Sequence, residues 1–192
     1  MPRLMFVLLA ALVLATGCKK APDLPVSGKI GAFELRDQSG KTFSNADLRG
    51  KVWVAAFMFT RCPTVCPRMM RTMKKLQEQA KADGVPLTLV SFSVDPENDT
   101  PEVLRAFAKK YDVDLATWSF LTGDYETVKR TSEESFKMTM EGKADAQASG
   151  FGIVHGSHLV LVDQDMQIRG FYQTKTEDEL GKLLEDAKSL SK

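Results

Sequence analysis

The chain has 192 residues, 43% hydrophobic and 27% charged, with 26 basic and 25 acidic side chains for a net charge of +1. That length suits one domain once an export signal is removed, and leaves enough chain to bury a core. The near-even charge balance gives no electrostatic ground for binding nucleic acid or an anionic surface.

The amino terminus carries Arg3 and then an unbroken apolar run from Leu4 to Leu14. The run is too short for a membrane-spanning helix, which needs about 20 residues, and suits the core of a signal peptide. It ends in Ala15-Thr16-Gly17-Cys18, which resembles the lipobox of bacterial lipoproteins. In that pattern the cysteine is acylated and becomes the new amino terminus; here Ala15 stands where Leu is usual, with Leu14 one place earlier. The expected organisation is a signal peptide over residues 1–17 and a lipidated Cys18 with its tether over 18–27. The domain follows over 28–192. Pro22 and Pro25 suit a tether, and the expected location is extracytoplasmic and membrane-anchored, on the periplasmic side in a Gram-negative bacterium.

Residues 32–43 alternate on either side of Gln38-Ser39-Gly40, which predicts a hairpin. Val52 to Phe59 is a continuous apolar run, predicting a central strand buried on both faces. A helix follows, with Pro67 at its first position, Met69, Met73, Leu76 and Ala80 on one face, and Gly84 closing it. Leu87 to Val94 predicts a second strand, ending in Asp95-Pro96. Thr100-Pro101 starts a helix with Leu104, Phe107 and Tyr111 on one side. Trp118 to Leu121 predicts a short strand, and Asp124 caps a helix reaching about Glu134. Lys137 to Gly152 is polar and rich in Gly and Ala, and predicts a mobile loop. His158–Asp163 and Gln167–Tyr172 predict paired closing strands, and Thr176 to Glu179 is a capping-box pattern opening the last helix. The order predicts an α/β fold: a thioredoxin-like mixed sheet flanked by helices, with an N-terminal hairpin.

With Cys18 lipidated, Cys62 and Cys66 remain as one pair in an oxidising compartment, where a disulfide is possible. They lie in the junction from Phe59 to Pro67, at the carboxyl end of a strand, where ligands bind in sheets of this kind. Cys66 is expected at a helix N-terminus, whose partial positive charge favours the thiolate, with Arg61, Arg68 and Arg71 adding positive potential. Thiolate is the form that both attacks disulfides and ligates metals. Only two histidines exist, His155 and His158, both just ahead of a closing strand, in a loop that faces the cysteine loop in a thioredoxin-like fold. Two sulfurs with one imidazole suit copper in both oxidation states. Zinc is the competing ion, although a structural zinc usually takes four protein ligands.

Other readings of these residues remain. The cysteines could form a structural disulfide, or serve a thiol–disulfide oxidoreductase. Reductases of thioredoxin type place a cis-proline opposite the cysteines, and this chain has no proline after Pro101. Met69, Met70 and Met73 are expected in the core, and Met138 and Met140 in the loop. Asp95 and Asp99 read as turn and capping residues, with an outer-sphere role for Asp95 as a lesser alternative. Arg68, Arg71, Lys74 and Lys75 read as a solvated helix face, or as a dock for an acidic domain.

The cysteine segment, Val94-Asp95-Pro96-Glu97-Asn98-Asp99-Thr100-Pro101, and Val154-His155 eight residues ahead of Asp163 together resemble the SCO/SenC family of copper-binding assembly factors. The likeness runs from about Gly31 to Leu184. It implies a chaperone that binds one copper through Cys62, Cys66 and His155 and delivers it to the binuclear copper centre (CuA) of cytochrome c oxidase. Implied partners are the copper-acceptor subunit of a respiratory oxidase, an upstream copper donor, a thiol reductant and, through the anchor, the membrane. Cys62 and Cys66 are then also a redox-active pair, and reduction of the acceptor's cysteines is the alternative function. His155-Gly156-Ser157-His158 departs from the family's histidine followed directly by Ser or Thr, which leaves His158 as the alternative imidazole.

Overall fold

The computed structural model describes residues 24–140, 157–174 and 176–192. Along them run β1 (Gly28–Lys29), β2 (Glu34–Asp37), β3 (Thr42–Ser44), β4 (Val52–Met58) and α1 (Val65–Ala82). There follow β5 (Leu87–Ser93), α2 (Pro101–Lys110), β6 (Trp118–Thr122), α3 (Tyr125–Arg130), β7 (His158–Val162), β8 (Gln167–Gln173) and α4 (Glu177–Leu190). The strands form one mixed sheet in the order β1-β8-β7-β4-β5-β6-β2-β3. At its centre β4, β5 and β6 are parallel, with Val52 opposite Leu87 and Met58 opposite Ser93. β7 runs antiparallel to β4 and β8 antiparallel to β7. This is the expected thioredoxin-like sheet with helices packed on it.

β4 is buried at every position because both its faces are covered, which is why it reads as an uninterrupted apolar run rather than an alternating one. Phe57 stacks on Phe92 of β5 at 5.1 Å and meets Phe136 edge-on at 5.1 Å, so the centre of the core is aromatic. The hairpin forms as expected, Leu35 opposite Phe43, and joins the sheet through Arg36 and Asp37 of β2 on β6. α1 and α4 pack against each other, with α4 also over β4 and β8. No helix among the described residues is long and apolar enough to cross a membrane.

Four expectations shift. α1 begins at Val65, which places Pro67 third in the helix. Proline is tolerated there because the first four N–H groups of a helix have no partner inside it. β1 adds an edge strand too short to leave a periodic signal, and Leu24, at the end of the expected tether, already packs against the core. The α3 segment passes into a π-helical turn over Thr131–Ser135, which closes on Phe136. Finally, Lys137–Met140 is no solvent-exposed loop root: Met138 and Met140 are buried with the core, and the Ser132 hydroxyl holds the Met138 carbonyl at 2.8 Å. The rest of the expected loop, with His155, lies outside the described residues, as do the signal peptide and Cys18.

Candidate metal centre

Parallel pairing of β4 and β5 puts their carboxyl ends side by side, so residues 59–62 run next to residues 94–99. The Val94 N–H bonds the Met58 carbonyl at 2.9 Å, extending the ladder one step past both strands. The cysteine loop is held there by two carboxylates. Asp99 is fully buried; it accepts the Thr60 N–H at 3.0 Å and the Ser93 hydroxyl at 2.6 Å, and it also takes the Thr60 hydroxyl. Asp95 pairs with the Arg61 guanidinium at 2.9 Å and accepts the Asn98 amide at 2.8 Å. The two aspartates are therefore more than turn formers: they fasten the loop across 34 to 39 positions of sequence. Arg61, expected as a source of positive potential at the sulfurs, is engaged by Asp95 instead.

Local backbone does the rest. Cys62 donates its N–H to the Phe59 carbonyl at 3.3 Å, closing a turn that swings its side chain toward the start of α1. There the Cys62 sulfur accepts the Cys66 N–H at 3.4 Å. Cys62 is half-buried and Cys66 buried, and the two thiols lie close enough to influence each other's proton. Burial alone would push the Cys62 thiol up, but amide donors from Cys66, Thr64 and Val65 outweigh it, and the net effect is a lowered pKa. For Cys66, burial wins and pushes the thiol far up, with the Cys62 and Asp99 charges adding to it.

This reverses one expectation. The helix N-terminus does favour a thiolate, but the sulfur seated on the free amides belongs to Cys62, one turn ahead, while Cys66 points from the second helical position into the core. The difference is open to a direct check. At neutral pH, iodoacetamide followed by mass spectrometry is expected to modify Cys62 at least roughly tenfold faster than Cys66, since one pKa unit is a tenfold change in thiolate. Equal rates would mean that the two environments do not differ as described.

Met69, Met70 and Met73 are fully buried and present no thioether to the cysteine loop's solvent side. Among the described residues no third His, Cys, Asp or Glu joins the two sulfurs in a metal-binding group. His158 stands exposed as the first residue of β7, opposite Gln173. His155 falls outside the described residues.

Residues 24–190 match the SCO1/SenC family model. A SCO1/SenC family lipoprotein from Bacillus anthracis superimposes with a TM-score of 0.80 at 37% identity, over 88% of this chain and 98% of that one. BsSco, a member of the Sco family of cytochrome c oxidase assembly proteins in which a disulfide switch has been identified, gives a TM-score of 0.76 at 34% identity, over 88% and 96%. Yeast Sco1 with copper bound gives 0.70 at 26%, over 86% and 90%. Nearly the whole described chain thus matches in sequence and in fold, and the protein belongs to the SCO1/SenC family.

Proposed function

We propose that this protein binds one copper ion through Cys62, Cys66 and His155 outside the cytoplasm and passes it by ligand exchange to an acceptor subunit of cytochrome c oxidase. The observation that carries this reading is the seat of the cysteine pair. Two sulfurs meet at the carboxyl end of β4, one of them seated on amide donors that favour the thiolate, the form a metal needs. Soft thiolates favour Cu(I), and an added imidazole makes Cu(II) acceptable. Copper bound to yeast Sco1 supports the same ion here. Chain order supports His155 as the third ligand: it lies three residues ahead of β7, the strand beside β4, and β7 starts at the cysteine end of the sheet. Lipidation at Cys18 would hold the domain at a membrane, in keeping with the lipoprotein relative.

The reduced protein is expected to take up about one equivalent of Cu(II) with an intense sulfur-to-copper charge-transfer band. His155→Ala should weaken binding and shift that band, whereas His158→Ala should leave both in place. The opposite pattern would transfer the ligand role to His158, and no copper uptake by the wild type would end the proposal.

A second reading rests on the unequal thiols. The Cys62 thiolate attacks an acceptor disulfide and forms a mixed disulfide. Cys66 then loses its proton and attacks the Cys62 sulfur, releasing the acceptor as a dithiol and leaving a Cys62–Cys66 disulfide, a two-electron exchange. The disulfide switch of BsSco supports such a pair. Rapid reduction of a generic disulfide by the copper-free protein would favour this role.

A further inference from the structure

Two recesses of about 260 and 130 Å³ lie side by side between α1 and the β8–α4 junction, and they share Arg68 and Thr174 as lining residues. The larger also takes in Arg71 and Lys75, and the smaller takes in His158. Arg68 is two residues past Cys66 on α1, within about one helical turn of the cysteine loop.

Their charges are unevenly satisfied. Lys75 is paired with Glu177 and Lys74 with Glu78, as surface lysines on a solvated helix usually are. Arg68 and Arg71 are exposed and have no acidic partner among the described residues. Thr174, which lines both recesses, is only 6% exposed as a residue. A hydroxyl lining a recess beside two guanidinium groups offers a further donor to an incoming acceptor.

Resting on the copper-delivery reading, the geometry points to this basic recess as the docking site for an acidic segment of the acceptor protein, one carboxylate meeting Arg68 and Arg71 and reaching the Thr174 hydroxyl. The shape argues for a protein side chain over a lipid surface, because a flat membrane does not enter a recess to reach a lining residue that is almost wholly covered. The neighbouring acidic residues argue against phosphate. Glu177, Asp178 and Glu179 occupy the first turn of α4 and repel a dianion more than a single carboxylate. Guanidinium binds carboxylate in a two-pronged geometry, which fixes direction as well as attraction.

The test uses a fluorescein-labelled peptide of alternating Asp and Gly, with the Asn version as control, and fluorescence anisotropy on the purified protein at low salt. Saturable binding of the Asp peptide alone is expected. The double variant Arg68→Gln, Arg71→Gln should weaken it roughly tenfold, as loss of close charge pairs does. Thr174→Val should weaken it several-fold without changing charge, and Thr174→Ser should restore it. Binding indifferent to the arginines would overturn the proposal. So would displacement by inorganic phosphate at concentrations comparable to the peptide, or arginine-dependent capture by phosphatidylglycerol vesicles. Copper stoichiometry of the wild type, measured on the same preparation, keeps the two ideas apart: lost copper uptake with intact peptide binding sinks only the metal reading.

Discussion

Serine in place of Cys62 is expected to take copper uptake from about one ion per chain to nearly none, and to abolish the charge-transfer band. Serine is close in size, so the fold should survive. What disappears is a soft, ionisable donor; a hydroxyl keeps its proton at neutral pH and offers only a hard oxygen. The Cys66 amide that now bonds the Cys62 sulfur would still find an acceptor in the serine oxygen, so loop conformation should change little. Cys66→Ser should lose copper as completely, although for a different balance of reasons: the residue is buried and its thiol holds its proton tightly, so binding a metal there replaces that proton with a stronger partner. Met69→Leu is the control. Its side chain is fully buried on α1, so the swap costs under about 1.5 kcal/mol of stability and should leave copper stoichiometry intact. Full copper binding by Cys62→Ser would move the metal centre away from this loop.

Asp99→Ala is expected to destabilise the protein by about 3 kcal/mol, because it strands the Thr60 N–H, the Thr60 hydroxyl and the Ser93 hydroxyl in a buried site at once. For a domain of this size that is a fall in Tm of roughly 8 °C. Since Thr60 lies two residues before Cys62, copper affinity should drop as well, through loosening of the loop rather than loss of a ligand. The same carboxyl leaves a signature in pH. Burial pushes its pKa up, its three donors pull it back only in part, and the charge of Asp95 adds to the rise. The folded protein therefore holds this proton more tightly than the unfolded chain. Stability contributed by the group is present at low pH and is lost as pH climbs from the ordinary value of 3.8 through the raised one. Asp99→Asn, which cannot titrate, should flatten the stability profile in that window. An unchanged slope would mean that Asp99 is not the group responsible.

Much of this arrangement was legible in the residues. β4 and β5 announce themselves as long apolar runs because they are covered on both faces, and Thr100-Pro101 and Asp124 cap their helices as their side chains dictate, each hydroxyl or carboxylate accepting an N–H in the first turn. The cysteine loop was placed by the same logic, as the link between a buried strand and a helix. What escaped was whatever depends on distant pairing. Asp95 and Asp99 look like local turn residues until β5 is known to lie parallel beside β4; only then do they face Arg61 and Thr60. A pair of acidic residues four apart just past a strand, next to a strand that ends in a reactive loop, is a signal that could have revealed them. Met138 and Met140 were assigned by the polarity of the residues that follow them, yet they are core residues, fixed by contacts that no local window contains. The roles of the two sulfurs were exchanged for a similar reason. Proximity to a helix start says nothing about which side chain turns back onto the free amides and which turns inward.

β1 lies antiparallel to β8, and β8 runs toward the same end of the sheet as β4, so the backbone before Gly28 comes in from the cysteine end. The Arg169 guanidinium grips the Leu24 carbonyl, fixing that approach along the sheet edge. From Leu24 back to Cys18 there are six residues, a reach of at most about 21 Å. If Cys18 carries the proposed lipid, that short leash would keep the whole domain, cysteine loop included, beside the bilayer instead of free to diffuse away from it.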